Sequence, residues 1–437
     1  MSTVAEVRLW GRTIGAVALM DGEETAAFEY APEFVDSGIE VAPLTMPLSD
    51  RVYRFPELSY QTFHGLPGLL ADSLPDKFGH LLINAWLARQ GRSPVSMNAV
   101  ERLCYTGRRG MGALEFEPRL GPEARRSRRL EVDALVELAS QVLRQRNALQ
   151  ASFGEDADER AMADILRVGT SAGGARAKAV VAWNPDTGEV RSGQLDPGAG
   201  FEHWLLKFDG VSGNRDRELD DSQGYGAIEY AYYLMAVDAG IEMSECRLLE
   251  ENGRRHFMTR RFDRTPEGGK LHMQSLCAMA HFDYNLPGAY SYEQAFEGMR
   301  RLGLPMAALE QFYRRTVFNI LGRNQDDHAK NIAFLMDQRG QWHLSPAFDL
   351  VFSYNPDGDW TARHQMTLNG RQEHFTWDDF RALASIAGLK RGRDRVIFDE
   401  VRECLLNWTE YARRADLPET TSERIETLLR TEDIRPK

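Results

Sequence analysis

The stretch Asn324-Gln-Asp326-Asp327-His328-Ala-Lys330-Asn331 gathers two carboxylates, an imidazole, an ammonium and an amide, and Ser345-Pro-Ala-Phe-Asp349 adds another carboxylate shortly after. A carboxylate beside an acceptor hydroxyl, with an amide and a second carboxylate on a divalent cation, is the set of groups that phosphoryl transfer from a nucleotide requires. Asp326 precedes Asn331 by five positions, the spacing of the catalytic-loop Asp and the metal-binding Asn in protein kinases. Between Asn331 and Asp349, the runs Ile332–Met336 and Gln341–Leu344 flank Asp337-Gln-Arg-Gly340 and predict two short strands around a turn. Such a hairpin returns Asp349 towards the loop. The plainer reading is that Asp, His and Asn only satisfy the backbone of their own loop. The hairpin and Asp349 together favour the phosphotransferase site.

Other stretches supply what a nucleotide needs. Arg167-Val-Gly169-Thr170-Ser171-Ala172-Gly173-Gly174-Ala-Arg176-Ala-Lys178 precedes an apolar run, Ala179–Trp183. Small residues let backbone N–H groups approach phosphates. Gly169 and Gly174 have the separation of a Walker A loop, but Ala175-Arg176 stands where Lys-Ser/Thr belongs, which excludes a P-loop NTPase. Phe201–Phe208 reads as a strand carrying Lys207 in an apolar setting, and Glu229 lies in an apolar helix over 226–240 ended by glycine. Taken singly, Lys207 is a snorkelling strand lysine and Glu229 a solvated helix charge. In the order glycine loop, strand lysine, helix glutamate, catalytic loop, metal aspartate, they read as the phosphate clamp of a kinase.

A chain of 437 residues exceeds one ordinary core, so two or three packed units are expected: 1–120, β-rich; 121–275, carrying the glycine loop; and 276–437, mainly helical with the catalytic loop. Within the first, 4 to about 55 alternates apolar runs with turns, and a strand near Ala113–Phe116 closes the unit. Asp72-Ser-Leu-Pro-Asp76 supplies capping residues ahead of a helix over Lys77–Arg89. Pro118–Arg129 reads as a solvated basic linker, followed by a helix from Glu131 to about Arg146. Arg254–Arg264 and Leu271–Leu276 read as neighbouring strands leading to the second lobe, and helices fill Tyr290–Gly322 and the chain beyond Thr376.

The formal net charge of −12 disfavours extensive contact with nucleic-acid phosphates, so any link to DNA runs through a partner. Cys104, Cys246, Cys277 and Cys404 form no Cys-x-x-Cys pair and read as packed thiols. The apolar run Ile14–Met20 is too short for a secretory core or a membrane span, and a cytoplasmic protein is expected.

The Asp-Asp-His-Ala-Lys-Asn core, Ser345–Asp349, the Ser171–Lys178 loop, Arg261-Phe-Asp-Arg264, and the Ser73–Asp76 and Gly112–Phe116 stretches together resemble the HipA-type serine/threonine kinase toxins of bacterial toxin–antitoxin systems. The resemblance implies an α+β, bilobal, protein-kinase-like fold with a small N-terminal β-rich subdomain and a mainly helical C-terminal lobe. It implies ATP and Mg²⁺ as cofactors and a HipB-like helix-turn-helix antitoxin as the partner that contacts DNA. Asp326 would be the base, His328 would support the loop, and Lys330 would complete the catalytic set. Asn331 and Asp349 would hold Mg²⁺. Ser171, Ala172, Gly173, Gly174, Lys178, Lys207 and Glu229 would line the nucleotide, and Gln274 to Leu276 would form the hinge. Ser171, with Thr170 beside it, is the expected autophosphorylation site, where a phosphate's negative charge would repel ATP from its cradle. The loop departs from the Gln-Glu-Lys ending of some members, with Arg176-Ala177-Lys178 in its place. The acceptor implied is a protein such as an aminoacyl-tRNA synthetase. Two other classes remain open at this stage: a pseudokinase that scaffolds an antitoxin–operator complex, against which the full acidic set argues, and a small-molecule kinase.

Overall fold

The computed structural model describes residues 2–121, 129–145, 164–166, 168–169, 176–194, 197–211, 224–265 and 267–434. Ser171 to Gly174, and with them the glycine loop proper, lie outside the described residues, as does most of the basic linker.

Alternating apolar positions build the first sheet. In β1 (Thr3–Leu9), Ala5, Val7 and Leu9 point inward while Glu6 and Arg8 do not, the period-two pattern of a strand buried on one face. β1 pairs antiparallel with β2 (Arg12–Leu19) on one side and with β4 (Leu114–Glu117) on the other, and β3 (Ala27–Tyr30) completes the order β3-β2-β1-β4. The expected closing strand is therefore β4. Helix Lys77–Arg89 starts where expected, with Asp76 as N-cap accepting from the Gly79 N–H at 2.6 Å.

The second sheet has five antiparallel strands in the order β6-β5-β7-β9-β8: β5 Lys178–Trp183, β6 Val190–Ser192, β7 Glu202–Lys207, β8 Cys246–Glu251 and β9 Arg254–Arg260. Helix Val132–Gln145 lays Leu135, Leu138 and Val142 into the core beneath it. Phe78 and Leu82 enter the same core. Helix Lys77–Arg89 thus belongs by chain position to the first expected unit and by packing to the second. Helix Tyr225–Asp238 packs on β8 and β9 and is apolar on most of its circumference, as a helix covered on all sides must be. Gly226 is required at its start, since a Cβ there would meet the Arg255 carbonyl oxygen at 2.6 Å.

A third sheet, β10 (His272–Ser275), β11 (Ala333–Met336) and β12 (Trp342–Leu344), contains the expected hairpin, with Gly340 at φ +79° in its turn. Here the structure differs from expectation: β9 and β10 are not neighbours but belong to different sheets. The crossover between lobes is the intervening Arg261–Leu271, and β10, expected in the middle unit, pairs with β11 of the C-terminal lobe. Helices Tyr292–Arg301, Met306–Leu321, Trp377–Ala387, Arg393–Leu406, Trp408–Arg414 and Glu419–Glu426 make up that lobe, the third opening on a capping box between Thr376 and Asp379. One continuous apolar core joins these helices to the N-terminal sheet.

The motif Arg261-Phe-Asp-Arg264 explains why the N-terminal unit sits where it does. Asp263 is fully buried. It accepts from Arg261 at 2.9 and 2.6 Å, from Arg264 at 2.8 Å and from the Gly112 N–H at 2.7 Å. Burial raises a carboxyl's pKa, but the two guanidinium groups outweigh it and hold Asp263 well below the ordinary carboxylate range. Gly112 has φ +74°, and a Cβ there would meet the Met273 nitrogen at 2.8 Å, so only glycine brings this N–H to the crossover. All four cysteines are free, and no helix among the described residues is long and apolar enough to cross a membrane.

Candidate active site

Lys207 ends β7 and Glu229 stands in the first turns of helix Tyr225–Asp238; the Lys207 ammonium donates to Glu229 Oε1 at 2.5 Å and also to Asp349 Oδ1. The strand, the helix and the segment after the hairpin thereby meet at one cation. Burial works against the charge on Lys207, yet Asp349 and Glu229 together hold its pKa above the ordinary lysine value. Burial likewise pushes Asp349 up, but Lys207 and then Lys178 outweigh it and bring it down to about 2. Glu229 is pushed up by burial, against the pull of Lys207. The three groups form a charged triplet in which neutralising either carboxylate would leave a buried ammonium underpaired.

Lys178 stands directly opposite Lys207 across the β5–β7 ladder. It is 2 % exposed, and its ammonium lies 3.9 Å from Asp76 Oδ2, whose residue caps helix Lys77–Arg89. Burial dominates both partners, lowering Lys178 and raising Asp76 to about 7. Beside Lys207 and Glu229 a recess is lined by Arg176, Phe208, Asp209, Tyr225 and Gly226. The Arg176 guanidinium lies 3.2 Å from the centre of the Tyr225 ring, and Tyr225 reaches across to the Phe352 carbonyl at 2.9 Å.

The loop of Asp326 follows helix Met306–Leu321 and is pinned from within and from afar. Ser353 Oγ accepts the N–H groups of Gln325 and Asp326 at 2.7 and 3.0 Å. Asn331 Nδ2 donates to the Asp326 carbonyl at 2.8 Å, which commits Nδ2 to the loop and leaves Oδ1 as the atom that can ligate a cation. Trp360 Nε1 donates to Asp326 Oδ1 at 2.7 Å, and His328 Nε2 lies 3.6 Å from the same oxygen. The His328 ring packs between Tyr284 and Trp360, 5.2 and 6.3 Å between centroids. Lys330 places its ammonium 5.4 Å from the Tyr284 ring centre. Burial opposes its charge, but Tyr284 and Asp72 outweigh it and raise its pKa. Asp349 has φ +53°, a left-handed conformation that Asp and Asn enter more readily than other side chains.

Among the described residues no three His, Cys, Asp or Glu side chains converge as a self-sufficient metal site. The donors that fit a cation are Asn331 Oδ1 and the carboxylate of Asp349, 28 % exposed. An amide oxygen and one carboxylate suit Mg²⁺, which keeps several waters and completes its shell with substrate phosphates.

Gln274 lies in β10 opposite Phe334, fully buried, with neither amide atom hydrogen-bonded among the described residues. Leu276 is fully buried, and its N–H donates to the Ile332 carbonyl at 2.7 Å. These two are part of the C-terminal lobe's sheet and its following helix. The strand that leaves the five-stranded sheet ends instead at Arg260, and Phe262, two residues on, packs on Phe348 at 5.6 Å, next to Asp349. The crossover between the lobes thus begins at Arg261, and Gln274 and Leu276, expected as the hinge, lie beyond it in the C-terminal lobe. Trp360, Ser353 and Tyr225 were not expected. They stand far from the loop in sequence, and no spacing marks them.

Family comparison settles the lineage of this arrangement. The HipA-like C-terminal domain matches residues 170–408, more than half of the chain, and the HipA N-terminal domain matches residues 5–117. The chain belongs to the HipA family. Over its whole length this HipA-family chain is also similar in fold to HipA of Shewanella oneidensis MR-1, solved as a toxin–antitoxin complex with HipB and operator DNA: TM-score 0.68, 18 % identity, covering 98 % of this chain and 96 % of that one. Among curated proteins it is 25 % identical over 217 residues to the candidate kinase Y4dM of Sinorhizobium fredii, covering 45 % of this chain and 51 % of the relative. It is 24 % identical over 137 residues to the candidate kinase Y4mE of the same organism, covering 29 % and 32 %. The matched segment thus spans about half the length of the first and about a third of the second. For a HipA-family chain, the two matched domains coincide with the N-terminal sheet unit and with the site described here.

Proposed function

We propose that this HipA-family chain is an Mg·ATP-dependent protein serine/threonine kinase. The observation that carries the proposal is Lys207, which contacts Glu229 and Asp349 at once and so joins a strand, a helix and the post-hairpin segment. Bound Mg²⁺ would neutralise charge on the transferring phosphoryl group. Asn331 Oδ1 and Asp349 would hold it, and Lys207 would turn towards the nucleotide's phosphates as Asp349 turns to the cation. Asp326 has one oxygen fixed by Trp360, leaving the other to accept the proton of the acceptor hydroxyl. Gln274, whose buried amide has no hydrogen-bond partner among the described residues, and the Arg260–Phe262 exit from the sheet are the groups proposed to meet the nucleotide's base.

The proposed acceptors are Ser171 of the chain itself and a protein of the translation machinery such as an aminoacyl-tRNA synthetase. The proposed partner is a HipB-like antitoxin, through which DNA would be reached. The test is transfer of labelled γ-phosphate from Mg·ATP to Ser171. Asp326→Ala should reduce transfer by about a thousandfold, at the middle of the range for loss of a general base, with nucleotide affinity retained. A wild-type protein that binds ATP but labels neither itself nor an acceptor protein would refute the proposal. Cellular effects that survive Asp326→Ala would point instead to a scaffold.

A further inference from the structure

A buried chain of polar side chains runs from the catalytic loop to the end of the described polypeptide. Asp327, next to Asp326, is 3 % exposed. Its Oδ2 accepts from Tyr292 Oη at 2.5 Å and from His364 Nδ1 at 2.8 Å, and its Oδ1 accepts from the Gln365 N–H at 2.7 Å. His364 is wholly buried. Its other nitrogen, Nε2, lies 3.0 Å from Arg430 Nη1. A guanidinium can only donate, so Nε2 must accept and the imidazole carries its proton on Nδ1, facing Asp327. Asp327, a carboxylate that can only accept, makes the same demand from the other side, and Arg430 anchors the far edge of the ring as a neutral imidazole.

Arg430 is itself fixed. Its N–H donates to the Leu321 carbonyl at 2.9 Å and its guanidinium lies over the Phe375 ring, 5.5 Å from the centre. The groups charged or titratable around His364 are Asp327 on the catalytic loop, Arg430 on the C-terminal segment and Arg323 ahead of the loop. Burial, with the two arginines, keeps the imidazole below its ordinary pKa against the pull of Asp327, which agrees with the neutral tautomer read from the geometry. Arg430 lies beyond the residues 170–408 that match the HipA-like C-terminal domain.

We propose that Arg430, acting through His364 and Asp327, is a positioning residue for phosphoryl transfer: by donating to Nε2 it anchors the neutral His364 ring with its Nδ1–H aimed at Asp327 and so holds the Asp326–Asn331 loop in its working shape. This rests on the kinase reading of Asp326. A guanidinium that merely glued the C-terminal segment down would affect stability and leave turnover of the folded protein unchanged.

The experiment uses the full chain, labelled Mg·ATP at saturation with Ser171 as acceptor, and a fluorescent ATP analogue for affinity. Arg430→Met should slow transfer by about tenfold, the effect of one misdirected charge-assisted hydrogen bond, with analogue affinity changed by less than about twofold. Arg430→Lys, which keeps a donor, should recover most of the rate. If Arg430→Met does not fold, His364 decides: His364→Asn still offers an N–H to Asp327 and should retain transfer, whereas His364→Phe should lose it. A folded Arg430→Met that transfers at the wild-type rate, Met and Lys variants equally impaired, or His364→Asn no better than His364→Phe would overturn the inference. A wild-type chain that transfers nothing would instead sink the kinase reading.

Discussion

Replacing Asp263 by alanine should separate the N-terminal unit from the crossover. The carboxylate is fully buried and receives four hydrogen bonds, two from Arg261, one from Arg264 and one from the Gly112 N–H. Removing it strands two guanidinium groups whose side chains are 1 % and 9 % exposed. A guanidinium keeps its proton at neutral pH even when buried, so the penalty cannot be relieved by losing one. Truncating one partner of a buried charge pair costs about 3–5 kcal/mol, a large share of the roughly 5–15 kcal/mol that holds a domain folded. Urea unfolding of the full chain should show a loss of that order, and hydrogen exchange should accelerate at Gly112 and along β4 before it does in the C-terminal helices. Asp263→Asn should fall between the two, since its amide presents a donor to a guanidinium. A loss below about 1 kcal/mol for Asp263→Ala, less than one net hydrogen bond to a charged group, would refute the view that this carboxylate ties the N-terminal unit to the kinase-like body.

Two further outcomes are expected. Trp360→Phe removes the indole N–H from Asp326 Oδ1 while keeping the aromatic contact with His328; the maximal transfer rate should fall by about tenfold with nucleotide affinity unchanged, and an unaltered rate would show that Asp326 needs no such support. Asp76, raised to about 7 by burial, binds its proton more tightly in the folded protein than in the unfolded chain. Its contribution to stability is therefore complete below about pH 4 and is lost as the pH rises towards 7. Asp76→Asn should flatten that part of the stability profile, measured by thermal unfolding across pH 4–7, and an unchanged slope would remove Asp76 from the account.

The local features of the site were legible because its parts are close in sequence. The five-position spacing of Asp326 and Asn331, the hairpin before Asp349 and the Asp76 cap of helix Lys77–Arg89 each follow from turn chemistry or periodicity. Partnership across the fold was not legible. Alternation in Arg254–Arg260 and His272–Ser275 tells which side chains share a face, but not that the two strands join different sheets. Ser353, Trp360, His364 and Arg430 act on the loop from later parts of the chain with no motif of their own. The Arg261–Arg264 motif was visible as a pattern, yet its reason, a buried carboxylate reaching the Gly112 N–H, exists only in three dimensions.

The short run from Asp72 to Asp76 touches both halves of the molecule. Asp72 accepts from the Ser275 N–H and hydroxyl at 2.6 and 2.9 Å, on the C-terminal side, while four residues later Asp76 faces Lys178 of the five-stranded sheet. The two halves are therefore tied here as well as through Arg261–Leu271, through the Lys207–Asp349 and Tyr225–Phe352 contacts, and where helix Tyr225–Asp238 packs on helices Arg393–Leu406 and Trp408–Arg414. Prising the cleft open would have to break charged, polar and apolar contacts on several elements at once, so the seam resists rotation as well as sliding.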